Sequence, residues 1–198
     1  MDEESNQIKE LQNKIALYED MRAYQRLYEL LFDGLYRFCN AFVKSGPVAE
    51  EIVSDVFIKV WQLRSRLPEI NNLKVYCYTI TRNFSYNYLL RQNKHVTLDI
   101  DALAPEMLIA TGDPESLCIS ADLLEKIRLA TEELPPQCRL IFQLIREEGL
   151  RYKEVAEILH LSPLTVRNQL TIATRKIAAL LPAGVLGDKA VLKKFSDS

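Results

Sequence analysis

Arg151–Leu181, RYKEVAEILHLSPLTVRNQLTIATRKIAALL, decides the fold of this chain. It reads as two helices joined by a tight turn. In the first helix Val155, Ile158 and Leu159 make an apolar stripe, and Ala156 is small enough to let a neighbouring helix approach. Ser162 stands where an N-cap belongs, and Pro163 takes the first helical position, whose N–H needs no partner. Beyond it Val166, Leu170, Ala173 and Ile177 recur at four, three and four residues, which is one face of a helix. The opposite face carries Thr165, Arg167, Asn168, Thr171, Arg175 and Lys176, which hydrogen-bond and are net basic. A short helix, a brief turn and a capped helix with a polar face form a helix-turn-helix, whose second helix can lie in the major groove of DNA. A plain helical hairpin whose charged face meets only water has a similar pattern. His160 occupies the turn, where a positive φ is common; His adopts it more readily than most non-Gly residues, so a turn role outranks metal ligation.

Working outward, the 198 residues are 48% hydrophobic, enough to bury a sizeable core. Pro and Gly are sparse and no alternating β-branched runs occur, so the expected class is all-α. Cys39, Cys77, Cys118 and Cys138 form no CxxC pair, and the chain has only two His, which argues for reduced, buried thiols in the cytoplasm and against zinc. No metal or other cofactor is expected. No apolar run reaches the roughly 20 residues a membrane helix needs, and the acidic start MDEESN is not a signal peptide.

The net charge of −2 hides an alternation. Residues 1–60 hold seven Lys/Arg against eleven Asp/Glu, and residues 61–100 hold six against two. Residues 101–150 hold four against ten, and residues 151–198 eight against four. Two basic blocks thus alternate with two acidic ones, which suits two nucleic-acid surfaces with acidic stretches for protein partners or self-masking.

Five segments follow from the periodicity. Residues 1–21 are an N-terminal extension, with Ile8, Leu11, Ile15 and Tyr18 at helical spacing. It reads as a helix packing on the body, with a short partner-binding helix as the other possibility. Residues 22–92 form a first helical domain: helices from Arg22 to Val43, from Val48 to about Arg64 and from Leu73 to about Gln92, with Ser45-Gly46-Pro47 breaking the first and Pro68–Asn72 a loop. Residues 93–114 are an acidic linker. A second domain spans residues 115–181, with helices over Ala121–Glu133 and Gln137–Glu148, Pro135-Pro136 between them and Gly149 as a helix C′ residue. Residues 182–198 are a loose tail.

In the helix after Pro47, Ala49, Ile52, Val53, Val56, Phe57 and Val60 fall on the inward stripe. The outward row of Glu51, Asp55, Ile58 and Gln62 places an apolar residue among polar ones. Ile58 is either a scattered surface residue or the centre of a docking face. The next helix, NLKVYCYTITRNFSYNYLLRQ, interleaves Tyr78 and Tyr86 with Arg82, Asn83, Asn87 and Arg91. Aromatics can stack on unpaired bases while Arg and Asn hold phosphates or base edges. Tyr at helical spacing also lines cores.

Taken in order, these segments resemble the sigma factors of bacterial RNA polymerase, in the sigma-70 superfamily, and within it the small extracytoplasmic-function (ECF) group. AEEIVSDVFIKVW (Ala49–Trp61) is similar to the family's core-polymerase-binding helix. VYCYTITRNFSYNYLLR (Val75–Arg91) is similar to its helix for opening and reading the minus-ten promoter element. Leu134-Pro135 and the helices after it resemble the domain that reads the minus-thirty-five element.

The resemblance implies that Glu51, Asp55 and Ile58 face the clamp helices of the largest polymerase subunit, with Trp61 a packing residue. It implies that Pro68–Leu73, with Asn71 and Asn72, captures a flipped base of the non-template strand. Tyr78, Arg82, Asn83 and Asn87 would lie along the melted element. Thr165, Arg167, Asn168 and Thr171 would face the major groove, with Arg175 and Lys176 on phosphates. Gln169 and Thr171 stand where relatives often carry Arg or bulkier residues, which leaves the sequence preference open. Implied partners are core RNA polymerase, promoter DNA and an anti-sigma factor. The chain itself would be no enzyme and would not insert in a membrane. A helix-turn-helix regulator that binds duplex DNA without polymerase is the rival reading, and it needs no Tyr/Asn/Arg-rich helix.

Overall fold

The computed structural model describes residues 3–92 and 129–180. The expected linker 93–114, most of the helix expected over Ala121–Glu133 and the tail 182–198 lie outside the described residues. The chain divides into two units at Thr97/Leu98, and each is described by itself. Every regular element among the described residues is helical.

The first unit contains α1 (Glu3–Tyr18), α2 (Met21–Val43), α3 (Gly46–Gln62), a 3-10 helix (Arg64–Glu69) and α4 (Leu73–Arg91). α1 packs on α2, on the 3-10 helix and on α4 through Ile8, Leu11 and Ile15. Asp20 caps α2, its carboxylate accepting from the N–H groups of Arg22 at 2.8 Å and Ala23 at 3.2 Å. The α2–α3 junction differs from expectation. Lys44, not the Ser-Gly-Pro triplet, ends α2 in a left-handed conformation with φ 54°, and its N–H reaches Asn40 O at 2.9 Å. Gly46 and Pro47 instead open α3, because a proline in the first turn has no hydrogen bond to lose.

α3 buries the six residues its spacing marks, Ala49, Ile52, Val53, Val56, Phe57 and Val60. They meet an aromatic row on α2. Tyr24 stands edge-on to Trp61 at 5.0 Å and donates to Phe57 O at 2.9 Å, and Tyr28 packs on Phe57 at 4.6 Å. Trp61 is therefore a packing residue. Of the expected loop Pro68–Asn72, Pro68 and Glu69 belong to the 3-10 helix, and Ile70–Asn72 are the loop that separates it from α4.

The second unit contains α5 (Pro136–Arg146), α6 (Tyr152–Leu159) and α7 (Pro163–Leu180), preceded by a helical turn over residues 129–132. α5 stops two residues before its expected end, and Gly149 takes φ 66° in the turn that follows. Val155, Ile158 and Leu159 on α6 meet Val166, Leu170, Ala173 and Ile177 on α7 and Ile141, Leu144 and Ile145 on α5. Each large apolar side chain buried this way contributes about 2 kcal/mol.

Candidate nucleic-acid interface

The turn between α6 and α7 explains how the last helix is aimed. His160 sits at φ 55°, Leu161 N–H reaches back to Ala156 O at 2.9 Å and His160 N–H to Glu157 O at 3.4 Å. This pair of bonds is a Schellman motif, which ends α6 abruptly. Ser162 then caps α7, its Oγ accepting from Thr165 N–H at 3.0 Å. Two closed helix ends three residues apart leave little freedom in how the second helix leaves the first.

On α7, Arg167, Asn168, Thr171, Arg175 and Lys176 are exposed, as the sequence places them. Thr165 is half-buried, and its hydroxyl lies 2.8 Å from Ser162 Oγ at the cap. The Thr171 hydroxyl donates to Arg167 O at 2.9 Å, so it is partly committed to its own helix. The centre of the outward face is the row Leu164, Asn168, Thr171, Arg175, spaced four, three and four. Leu164 is 66% exposed and was missed by sequence reasoning. Its signal was its position four residues before Asn168, on a face otherwise polar.

In the first unit Glu51, Asp55 and Ile58 form one exposed row on α3, with Ile58 at 53% exposure. Glu51 and Asp55 also line a groove of about 350 Å³ with Val48, Ile52, Phe84, Asn87, Tyr88 and Arg91. The acidic row of α3 and the outer end of α4 thus share one concave surface.

α4 needs one correction. Tyr78, expected on the DNA-facing side, is 1% exposed and packs edge-on to Phe38 on α2, with centroids 5.1 Å apart. The buried stripe of α4 runs Leu73, Cys77, Thr81, Ser85 and Leu89, and Tyr78 is on its flank. Thr81 and Ser85 tolerate burial because their hydroxyls donate to Cys77 O and Thr81 O, both at 2.8 Å. The outward row is Tyr76, Asn83, Asn87 and Leu90; Asn83 and Asn87 are exposed and Tyr76 half-buried. Arg82 is half-buried at the row's margin, and its Nε finds no acceptor among the described residues. Burial pushes its guanidinium below the usual arginine value.

At the start of α4, Asn71 is exposed, and the Asn72 side chain is the N-cap, accepting from Val75 N–H at 3.1 Å. Capping fixes Asn72 as the last residue of the turn. Sequence reasoning also missed Gln12, which is 1% exposed and donates through Nε2 to Leu67 O and, at 2.9 Å, to Ile70 O. A polar residue beside Leu11 gives no sign of burial. No group of three His, Cys, Asp or Glu side chains among the described residues could hold a metal ion. No described helix is long and apolar enough to cross a membrane.

Comparison with known proteins matches both units. The family model described as Sigma-70 region 2 matches residues 27–95, and that described as Sigma-70, region 4 matches residues 124–177, together more than half of the chain. The ECF RNA polymerase sigma-E factor of Escherichia coli (strain K12) is 27% identical over 165 residues, covering 80% of this chain and 86% of that protein. The ECF RNA polymerase sigma factor SigM of Bacillus subtilis (strain 168) is 23% identical over 159 residues, covering 80% and 95%. Among solved structures, the sigma factor RpoE in complex with the anti-sigma factor NepR from Bartonella quintana has a TM-score of 0.54 at 22% identity, covering 79% of this chain and 95% of that one. CnrH in complex with the cytosolic domain of CnrY has a TM-score of 0.52 at 19% identity, covering 88% and 96%.

Proposed function

This chain belongs to the sigma-70 family of RNA polymerase sigma factors, in its ECF group, and we propose that it divides promoter recognition between its two units. As a sigma factor it directs core polymerase to promoters. In our reading the row Glu51, Asp55 and Ile58 docks on the polymerase clamp, the exposed Ile58 supplying the apolar centre and the two carboxylates its orientation. Asn83, Asn87, Arg82 and Tyr76 hold the melted minus-ten strand. Asn71 and Asn72 form the loop that takes its flipped base. Leu164, Arg167, Asn168, Thr171 and Arg175 enter the major groove of the minus-thirty-five element, with Lys176 and the cap residue Thr165 at its margin.

The observation that carries this reading is the outward face of α7, polar and basic around Leu164 and built on a turn closed at both ends. Arg presents the paired donors that a guanine edge accepts, Asn the donor and acceptor that match an adenine edge, and an apolar side chain suits a thymine methyl. Phosphodiester chemistry belongs to the polymerase, and the protein acts in the cytoplasm as a non-catalytic subunit. An anti-sigma factor that covers these faces is its regulator, by analogy with the similarly folded sigma factor bound to the anti-sigma factor NepR.

The test is co-purification of the tagged chain with bacterial core polymerase, followed by run-off transcription from promoters selected by the holoenzyme. Stoichiometric assembly, lost on changing Asp55 and Ile58, supports the assignment of α3. Promoter selection unchanged by substitutions on the outward face of α7 would remove that face from recognition.

A further inference from the structure

We propose that α1 is a brace for the base-capturing loop, in which the Gln12 amide turns the Ile70–Asn71 peptide so that the Asn71 N–H faces outward as a donor to the flipped base. The proposal rests on the reading of Ile70–Asn72 as that loop.

α1 runs antiparallel to the segment from Arg64 to Lys74 and grips it at three levels. Near its end, the Glu19 carboxylate takes Arg64 Nε at 3.0 Å. In its middle, Gln12 Nε2 donates to Leu67 O and Ile70 O. Near its start, the Glu4 carboxylate pairs with the mostly buried Lys74 at 2.7 Å. The middle contact is the informative one. Gln12 stands among Ile8, Leu11 and Ile15, where an apolar side chain would complete the stripe without burying an amide. What an amide adds is direction.

Ile70 O belongs to the first peptide beyond the 3-10 helix, and that peptide also carries the N–H of Asn71. All described peptides are trans, so the N–H points opposite to the carbonyl. With Ile70 O drawn inward to a side chain that is 1% exposed, the Asn71 N–H is turned away from the core. Asn71 itself is exposed. The result is a backbone donor held at a fixed angle beside the N-cap of α4. Its ligand class is the acceptor edge of an unpaired base, a carbonyl oxygen or ring nitrogen. Gln12 touches no base and acts only by positioning.

The test assembles full-length wild type, Gln12→Leu and Asn71→Pro with core polymerase and measures transcription from promoters in which each minus-ten base is varied singly. Proline removes the N–H in question, and Ile70, at ψ 112°, already has the extended conformation a following proline requires. Gln12→Leu is expected to lose about tenfold in discrimination at one base position, and Asn71→Pro at the same position. Polymerase affinity and discrimination at the minus-thirty-five element should stay unchanged, which a general loss of structure would not allow. If Asn71→Pro keeps full discrimination, the loop does not read the base and the proposal falls with that reading. If Asn71→Pro loses discrimination but Gln12→Leu keeps it, the brace alone is overturned. Should Gln12→Leu fail to fold, Gln12→Met, which keeps the length of the side chain and removes its donor, carries the same test, and retention of full discrimination overturns the brace.

Discussion

The ring of Tyr78 stands edge-on to Phe38 at an interplanar angle of 73°, inside the core between α2 and α4. Tyr78 therefore holds α4, the helix proposed to face DNA, and is not itself available to DNA. Tyr78→Ala should destabilise the first unit by about 3–5 kcal/mol, measured by urea unfolding. Tyr76→Ala should leave stability nearly unchanged and weaken binding of a single-stranded minus-ten oligonucleotide to the holoenzyme by about 1–3 kcal/mol. The opposite pattern would return Tyr78 to the interface.

Arg167 and Leu164 on α7 separate two modes of contact. Arg167→Ala should cost about 1–3 kcal/mol of minus-thirty-five duplex binding if its guanidinium reads a base edge. An unchanged sequence profile with a shallower salt dependence would reassign Arg167 to a phosphate. Leu164→Ala should relax selection at one A·T pair and leave the salt dependence as it is, since no charge is lost.

On α3, Asp55→Ala with Ile58→Ala should weaken holoenzyme assembly by about 1–3 kcal/mol. Both side chains are exposed, so the unfolding midpoint should barely move. Competition against the unaltered chain for core polymerase reads the first quantity, and thermal melting reads the second. Normal assembly by the variant would remove this row from the polymerase interface.

Alkali should weaken the first unit through two thiols. Burial pushes Cys39 up to about 11, with its contact to Ser85 acting the other way, and pushes Cys77 up to about 12. Above the ordinary thiol value the unfolded chain gives up these protons while the native chain keeps them, so the native state binds more protons and stability falls as pH rises. The pair should cost about 2–3 kcal/mol between pH 7 and pH 10. Urea midpoints at the two pH values, compared with those of Cys39→Ala/Cys77→Ala, isolate this contribution. An equal fall in the variant would assign it to other groups.

Most helices were legible because their inward residues are apolar at a 3.6-residue period. The stripes of α3 and α7 fall where the spacing puts them, and so do Ile8, Leu11 and Ile15 on α1, whereas Tyr18, the last residue of that stripe by spacing, is 77% exposed at the helix end. α4 was legible as a helix but not in its orientation. Two of its five inward positions, Thr81 and Ser85, are polar residues satisfied by their own backbone, so the buried stripe resembles a surface and Tyr78 was read as outward. The 3-10 helix was missed because three-residue turns leave no long period and Pro68, a breaker in an α-helix, fits within it. Leu164 was passed over as an apolar residue on a polar face, and the brace at Gln12 depends on a contact 58 residues away, which no local pattern carries.

The inward hydroxyls of α4 have a mechanical consequence. Because Thr81 and Ser85 spend their hydrogens on their own helix, the contact of α4 with α2 is set largely by shape, with Cys39 Sγ to Ser85 Oγ, 3.2 Å apart, a sulfur–oxygen contact between them. A surface of that kind can be shimmed. A methyl added at residue 85 would tilt the rod by a fraction of an ångström and move Asn83 and Asn87 at its far side, while the same methyl on the outward face would move nothing. The volume of two concealed side chains is thus a tuning screw for where Asn83 and Asn87 stand.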